Sequence, residues 1–442
     1  MKLRNIISAI VIIPALPLYG GDGGGLWTLD QCIDHAIAHN ITVKRQQQSV
    51  ENEKIAVNTS RNSRLPGVNA SASHSFNFGR GLTVNNTYAN RNTMNTSMDM
   101  SANVTLYSGG QMSRQIEVQQ LNLQAAITDL ERVKDDIEVQ VIAAYMEALY
   151  QKQLVEIGQH QLNLSRTQAE RIKALVDNGK RAEADYAEAL STIANDELTL
   201  VQSENSLQMA ILTLTQLLEL PSPDGFALAP QEFGDAHSVL LPDADDIYRQ
   251  ALGTRPNILV EQIRLNAADR NIALARTGYR PTLSLGAGLS TGYYKTFSMD
   301  ATHFGRQLSD NFNKYVGLSL NIPVFNRFAT RNQIRQAKVQ YVSQQLQLDE
   351  TKKNLYKEIQ QAYYNAKGAQ RQCMSSATAV RAAQAAYDIM EGKYVNGKAT
   401  ATEYEEAKTR LIRSQCDHAQ AQCTFHFRRL LLNHYSGLSA KD

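Results

Sequence analysis

The sequence predicts a mainly α-helical chain with a small β part, built as two copies of a long helical hairpin, each hung from a pair of strands. Three observations carry this expectation. The first is self-similarity. Asn178-Gly179-Lys180 returns as Asn396-Gly397-Lys398, and the same offset of 218 positions carries Leu106-Tyr107 onto Val324-Phe325 and Gln115-Ile116 onto Gln333-Ile334. Upstream, an offset of 215 carries Arg64-Leu65-Pro66 onto Tyr279-Arg280-Pro281 and Ala36-Ile37 onto Ala251-Leu252. A period this long marks two copies of a whole substructure, not a solenoid. The second observation is helical periodicity over very long proline-free stretches. The third is four short segments in which apolar and polar residues alternate.

The N-terminal residues read as an export signal over 1–20: Lys2 and Arg4, then the apolar run Ile6 to Ala15, then a small-residue exit before the spacer Gly20 to Gly25. Thr28-Leu29-Asp30-Gln31 has the form of a capping box, so a first helix is expected from there to about Ser63, ended by Pro66 and Gly67. In Asn95 to Tyr107 the apolar set is Met98, Met100, Ala102, Val104 and Leu106, with Ser97, Asp99, Ser101, Asn103 and Thr105 between them. That is a strand with one greasy and one wet face. Val68, Ala70, Ala72 and Phe76 mark its partner; Leu283 to Leu289 and Val316 to Ile322 repeat the pair. Four strands cannot close a barrel, which needs about eight. No further strand offers a second layer, which favours one barrel shared among several chains.

From Gln111 to about Asp177, apolar residues recur through Leu123, Ile127, Leu130, Ile137, Val141, Ala144 and Ala148. At 1.5 Å per residue this is a rod of about 100 Å. Its counterpart runs from about Thr330 to Glu391 through Leu348, Leu355, Ile359, Ala362 and Ala366. Each rod ends at an Asn-Gly-Lys turn, where Asn and Gly accept the left-handed conformation. Return helices follow, through Tyr186, Ala189, Ile193, Leu200, Leu207, Ile211 and Leu214, and through Tyr404, Ala407 and Leu411. The first return helix stops at Leu220-Pro221, and the last near His434.

Composition removes whole classes. Lys plus Arg number 45 against 43 Asp plus Glu, interspersed, so no basic footprint for nucleic acid exists. Mean hydropathy is −0.36, and no run approaches the eighteen or so apolar residues of a spanning helix. No nucleophile elbow, phosphate loop or H-E-x-x-H occurs, so no residue supports an enzyme, and no cofactor is expected. Cys32, His35 and His39 share a helix face without a fourth ligand, so no metal site is assigned. Counting back through the Gly397 turn brings Cys373 level with about position 421. A disulfide from Cys373 to Cys416 or Cys423 is therefore open in an oxidising periplasm.

The duplicated plan and the tip pattern Tyr394-x-x-Gly397-x-x-x-x-x-Glu403-x-x-Glu406 resemble the TolC-like outer-membrane efflux proteins, or outer-membrane factors, from Leu26 to about Tyr435. The resemblance implies a homotrimer in the outer membrane, reaching into the periplasm. Each chain would give four strands to a shared twelve-stranded β-barrel in lipid, and its hairpins to an α-helical tunnel. The repeats would span 26–220 and 245–435, with an equatorial linker at 221–244 and a tail at 436–442. Glu403 and Glu406 stand where the family pinches its pore with acids, a ring that would favour cations. Tyr394 and Asp185 occupy the places of a tyrosine and an acid that hold the second hairpin closed. The accompanying arginine position is Ala399 here, with Lys398 and Lys180 the nearest replacements. The tips Asn178-Gly179-Lys180 and Asn396-Gly397-Lys398 match the surface offered to a periplasmic adaptor. The expected function is the passive exit duct of a tripartite efflux system fed by an inner-membrane pump. The same duct could serve one-step protein secretion; a soluble coiled-coil scaffold is the reading from another class, and the alternating strands oppose it.

Overall fold

The structure, a computed structural model, describes residues 26–82, 86–231, 233–234, 236, 239–297 and 300–437. The expected export signal and the tail beyond Gly437 lie outside the described residues. In chain order the elements are β1 (Leu26–Trp27), α1 (Leu29–His39), α2 (Ile41–Asn62), β2 (Gly67–Asn77), β3 (Arg80–Leu82), β4 (Tyr88–Asn90), β5 (Thr93–Tyr107), α3 (Gln111–Asp177) and α4 (Glu183–Leu217). The second half gives β6 (Ala227–Leu228), α5 (Ala244–Thr254), α6 (Pro256–Arg276), β7 (Thr282–Thr296), α7 (Phe304–Asp310), β8 (Asn313–Asn321), α8 (Ala329–Val395) and α9 (Ala401–Tyr435). A 3-10 turn at Thr277–Tyr279 precedes β7. The duplication is kept to the residue: α8 and α9 begin and end 218 positions after α3 and α4, and α5 lies 215 after α1.

Two compact units divide the chain, one from residues 1–36, 141–234 and 379–423, the other from 37–140, 235–378 and 424–442. In the first, the capping box forms as expected: Thr28 N–H donates to Gln31 Oε1 (3.0 Å) and Gln31 N–H to Thr28 Oγ1 (3.3 Å). β1 pairs in parallel with β6, two-residue strands too short to leave a periodic signal. Trp27 stacks on Phe226 with centroids 5.6 Å apart, and its carbonyl accepts from Tyr145 Oη at 3.1 Å.

The second unit holds the main sheet, antiparallel in the order β2-β5-β7-β8. Paired residues share a face. The register puts Val68, Ala102, Ala287 and Val316 in one row and Ala70, Met100, Leu289 and Lys314 in the next. Ser73, Ser97 and Gly292 lie on the opposite face, where Ser73 Oγ and Ser97 Oγ are 2.7 Å apart. The register slips between Thr105 and Tyr107, which breaks the expected alternation at Leu106. The apolar face has no cover: Val316 is 77 % and Leu318 68 % exposed. In the same unit the α8 stripe Leu348, Leu355, Ile359, Ala362 and Ala366 packs with Ile247, Ala251, Ile258 and Leu432 in one core. Its spacings of seven, four, three and four keep one seam facing the partner helices. On α3, Ile137, Val141 and Ala148 are buried as the stripe predicts, but Ile127 is exposed.

The single first helix expected to Ser63 is two helices. Asn40 leaves the helical region (φ −58°, ψ 131°), and its side chain accepts from Thr42 N–H at 2.8 Å, capping α2. At the duplicated position, Arg255 does the same work differently. Pro256 opens α6, needing no donor. The Arg255 guanidinium reaches His434 O (3.2 Å), His434 Nε2 (2.9 Å) and Asp135 Oδ2 (3.3 Å). Since a guanidinium cannot accept, His434 Nε2 is the acceptor and Nδ1 carries the proton.

The turns from strand to rod show the same divergence between copies. Gly109 and Gly110 take φ of 65° and 85°; their counterparts Arg327 and Phe328 take 53° and 61°, a region that costs a side chain about 1–2 kcal/mol. A Cβ on Gly109 would fall 2.3 Å from Arg280 Cβ, and Arg280 Nη1 donates to Gly109 O at 2.7 Å. Gly109→Ala should therefore destabilise the fold by about 1–3 kcal/mol, whereas Arg327→Gly should be neutral or stabilising; apparent melting temperatures in detergent check the order.

Candidate functional site at the hairpin tips

Both rods close with the same backbone device. Gly179 (φ 66°) donates to Val176 O at 2.8 Å and Lys180 N–H to Leu175 O at 2.8 Å; Gly397 (φ 70°) donates to Tyr394 O at 3.0 Å and Lys398 N–H to Lys393 O at 2.8 Å. These satisfy the last carbonyls of α3 and α8 in the Schellman pattern. Asn178 Nδ2 and Asn396 Nδ2 each cap a further carbonyl, Ala174 O (2.6 Å) and Gly392 O (2.7 Å). Lys180 and Lys398 are left exposed at the turns, with Val395 exposed beside the second.

Behind the second tip lies an aromatic cluster. Tyr394 stacks on Tyr404 with centroids 4.8 Å apart at 15°, and Tyr404 Oη meets Tyr387 Oη at 3.0 Å. Burial raises both Tyr387 and Tyr404 above the ordinary phenol range, so both remain neutral donors. Arg181, just after the first tip, lays its guanidinium over the Tyr394 ring at 5.1 Å and reaches Asp185 Oδ2 at 3.8 Å. The expected pair Tyr394 and Asp185 is thus brought together through Arg181, and all three line one small cavity with Ile172, Ala189 and Tyr404. The cation that joins them is Arg181, and neither Lys398 nor Lys180. The sequence reading missed it because it sought the arginine on the second hairpin.

The two expected acids, Glu403 and Glu406, and Glu405 between them sit in three different settings. Glu403 closes a second capping box: its Oε2 accepts from Thr400 N–H (2.8 Å) and Thr400 Oγ1 (2.9 Å), and its own N–H donates to Thr400 Oγ1 (3.2 Å). Those donors hold its carboxyl below the usual range. Thr400-Ala401-Thr402-Glu403 has the same form as Thr28 to Gln31, so the signal was present in the sequence. Glu405 leans 3.5 Å from Lys408 Nζ. Glu406 is exposed, and no ion pair holds its carboxylate among the described residues.

A family model described as outer membrane efflux protein matches residues 32–219 and 247–430. The chain belongs to this family. It is 23 % identical over 421 residues to the outer membrane efflux protein BepC of Brucella suis, covering 95 % of this chain and 87 % of that one. It is 25 % identical over 257 residues to the outer membrane protein TolC of Escherichia coli, covering 57 % of this chain and 50 % of TolC. The crystal structure of the outer membrane protein VceC of Vibrio cholerae superposes with a TM-score of 0.72 at 19 % identity, over 93 % of this chain and 96 % of that one. As a member of the outer membrane efflux proteins the chain is placed in the outer membrane, extending into the periplasm.

Two other features of this efflux protein escaped the sequence reading or corrected it. Lys408, Asp196 and Ser165 form a buried polar cluster from residues up to 243 positions apart, beyond the reach of any local pattern. The bridge left open for Cys373 is not present: all four cysteines are free, and Cys423 Sγ lies 3.9 Å from Gln153 Oε1 on α3. Burial pushes the Cys32 and Cys423 thiols up to about 12 and the His426 imidazole down to about 4. In the first helix, His35 sets its ring edge-on to Trp27 at 5.4 Å while Cys32 is buried.

Oxidised, denatured protein should therefore titrate with a thiol reagent as four thiols per chain; two would show a bridge. Glu403→Gln keeps both halves of its capping box, whereas Glu403→Ala should speed amide exchange at the start of α9 several-fold. Because the carboxyl is lowered in the folded state, the charge's contribution to the cap persists through neutral pH and is lost as pH falls through that lowered value.

Proposed function

We propose that three copies of this chain form an exit duct of a tripartite efflux system, through which cargo delivered by an inner-membrane pump passes passively. One observation carries the reading beyond family membership: the amphipathic four-stranded sheet ends in two open edges, β2 and β8, both exposed along their length. Backbone groups in hydrocarbon must be paired, so the edges of one copy are met by those of the next, twelve strands in all. The wet face, with Ser73, Ser97, Asp99 and Ser290, then lines the passage. Leu190, Leu198, Val201 and Met209 on α4 are exposed on the single chain and supply apolar surface for a neighbouring copy.

In this reading 26–220 and 245–435 are the two repeats, joined by the linker 221–244. Asn178-Gly179-Lys180 and Asn396-Gly397-Lys398 face a periplasmic adaptor, and Arg181, Asp185 and Tyr394 keep the second hairpin against the first. Three Glu406 carboxylates, with Glu403 one turn earlier, form the cation-favouring ring at the narrow end.

Planar-bilayer recordings test the duct directly. The wild type should conduct with cation preference and be blocked by divalent cations. Glu406→Gln should weaken both more than Glu403→Gln, whose carboxylate is engaged by Thr400. Selectivity unchanged in the double variant would remove the ring from these positions.

A further inference from the structure

Lys408, two residues beyond Glu406 on α9, is 4 % exposed, and Asp196 on α4 is 8 % exposed, with Nζ and Oδ2 3.6 Å apart. Between them stands Ser165 of α3. Lys408 Nζ donates to Ser165 Oγ at 2.6 Å, Ser165 donates in turn to Asp196 Oδ2, and Gln161 Nε2 donates to the remaining oxygen, Oδ1. The relay has one direction. A hydroxyl with its single proton given to the carboxylate can only accept from the ammonium. Both oxygens of Asp196 are engaged, so the buried charges are paired and hydrogen-bonded, as burial requires.

This seat ties both helices of the first hairpin to the return helix of the second, and it exists in only one copy of the duplication. The counterpart of Lys408 is Leu190, that of Asp196 is Ser414 and that of Ser165 is Ala383. At the matching place the return helix of the first hairpin carries no cation and leaves Leu190 exposed. Another ionic contact between the hairpins, Arg171 with Glu391 at 4.0 Å, is exposed on both sides and screened by salt. Lys408 with Asp196 is shielded from that screening.

We propose that Lys408, Asp196 and Ser165 are the positioning residues that hold α9, and with it Glu406, in the closed position, so that opening the duct requires α9 to leave this polar seat. The proposal rests on the duct reading above. Lys408→Met leaves the Asp196 carboxylate buried without its cation, which favours the unseated state. Exchanging the charges, Lys408→Asp with Asp196→Lys, together with Glu405→Gln to remove the carboxylate 3.5 Å from position 408, lets Ser165 reverse its proton and restores the relay.

The test records opening of the purified protein in planar bilayers without adaptor, alongside hydrogen exchange over 401–411 in detergent. Lys408→Met should open about tenfold more often, equivalent to about 1.4 kcal/mol, and exchange several-fold faster over 401–411, with 183–195 unchanged. The charge exchange should return both toward wild type. Faster exchange with unchanged opening would reduce the cluster to a fold-stabilising contact and overturn the proposal; unchanged exchange would overturn it outright. A wild type that conducts nothing would instead remove the duct reading, and unchanged exchange in Lys408→Met would still refute the seat independently.

Discussion

Two open edges of a four-stranded sheet constrain everything else in this protein. Each edge strand presents unpaired N–H and C=O groups, and in hydrocarbon each such group costs several kcal/mol. The apolar rows from Val68 to Val316 and from Ala70 to Leu289 suit lipid on one side, while the serine, glycine and asparagine rows suit water on the other. A sheet with these faces is stable in a bilayer only when closed on itself, and four strands are too few. The geometry of the backbone therefore asks for further copies before any helix is considered.

The helices answer the same demand in a different medium. Stripes spaced at seven, four and three residues bury a narrow seam on α8 and leave other apolar residues outward on α4. Such helices are half-finished alone, as the sheet is. The Schellman turns at Gly179 and Gly397 let each rod reverse within the five residues 178–182 and 396–400, placing the return helices and their acids at the tips. There Arg181, stacked on Tyr394 and paired with Asp185, supplies from the first hairpin the cation that Ala399 cannot.

Much of this was legible in the sequence because duplication doubles every signal. The rods and tips were found to within a few residues, and the first capping box was read correctly, while β7 runs seven residues past the expected Leu289. Asn40 was missed because one polar residue in a polar helix carries no breaking signal of its own, although Pro256 at the matching place in the second copy does. The second capping box was missed because Glu403 had already been given a role by resemblance. Arg181 and the Lys408 cluster were invisible for a deeper reason: partners separated by 212 to 243 positions meet only through the packing of one hairpin on another. Helical level alone left the Cys373 bridge open, since it does not fix where a side chain points.

The measurement that bears most directly on the shared barrel is the mass of the membrane-extracted protein in detergent, by light scattering with the detergent contribution subtracted. A mass of three chains, lost together with the sheet when an edge strand is interrupted by proline within β8, is the predicted result. A monodisperse monomer whose four-stranded sheet persists, or a protein that leaves the membrane fraction without detergent, would contradict closure by neighbouring copies.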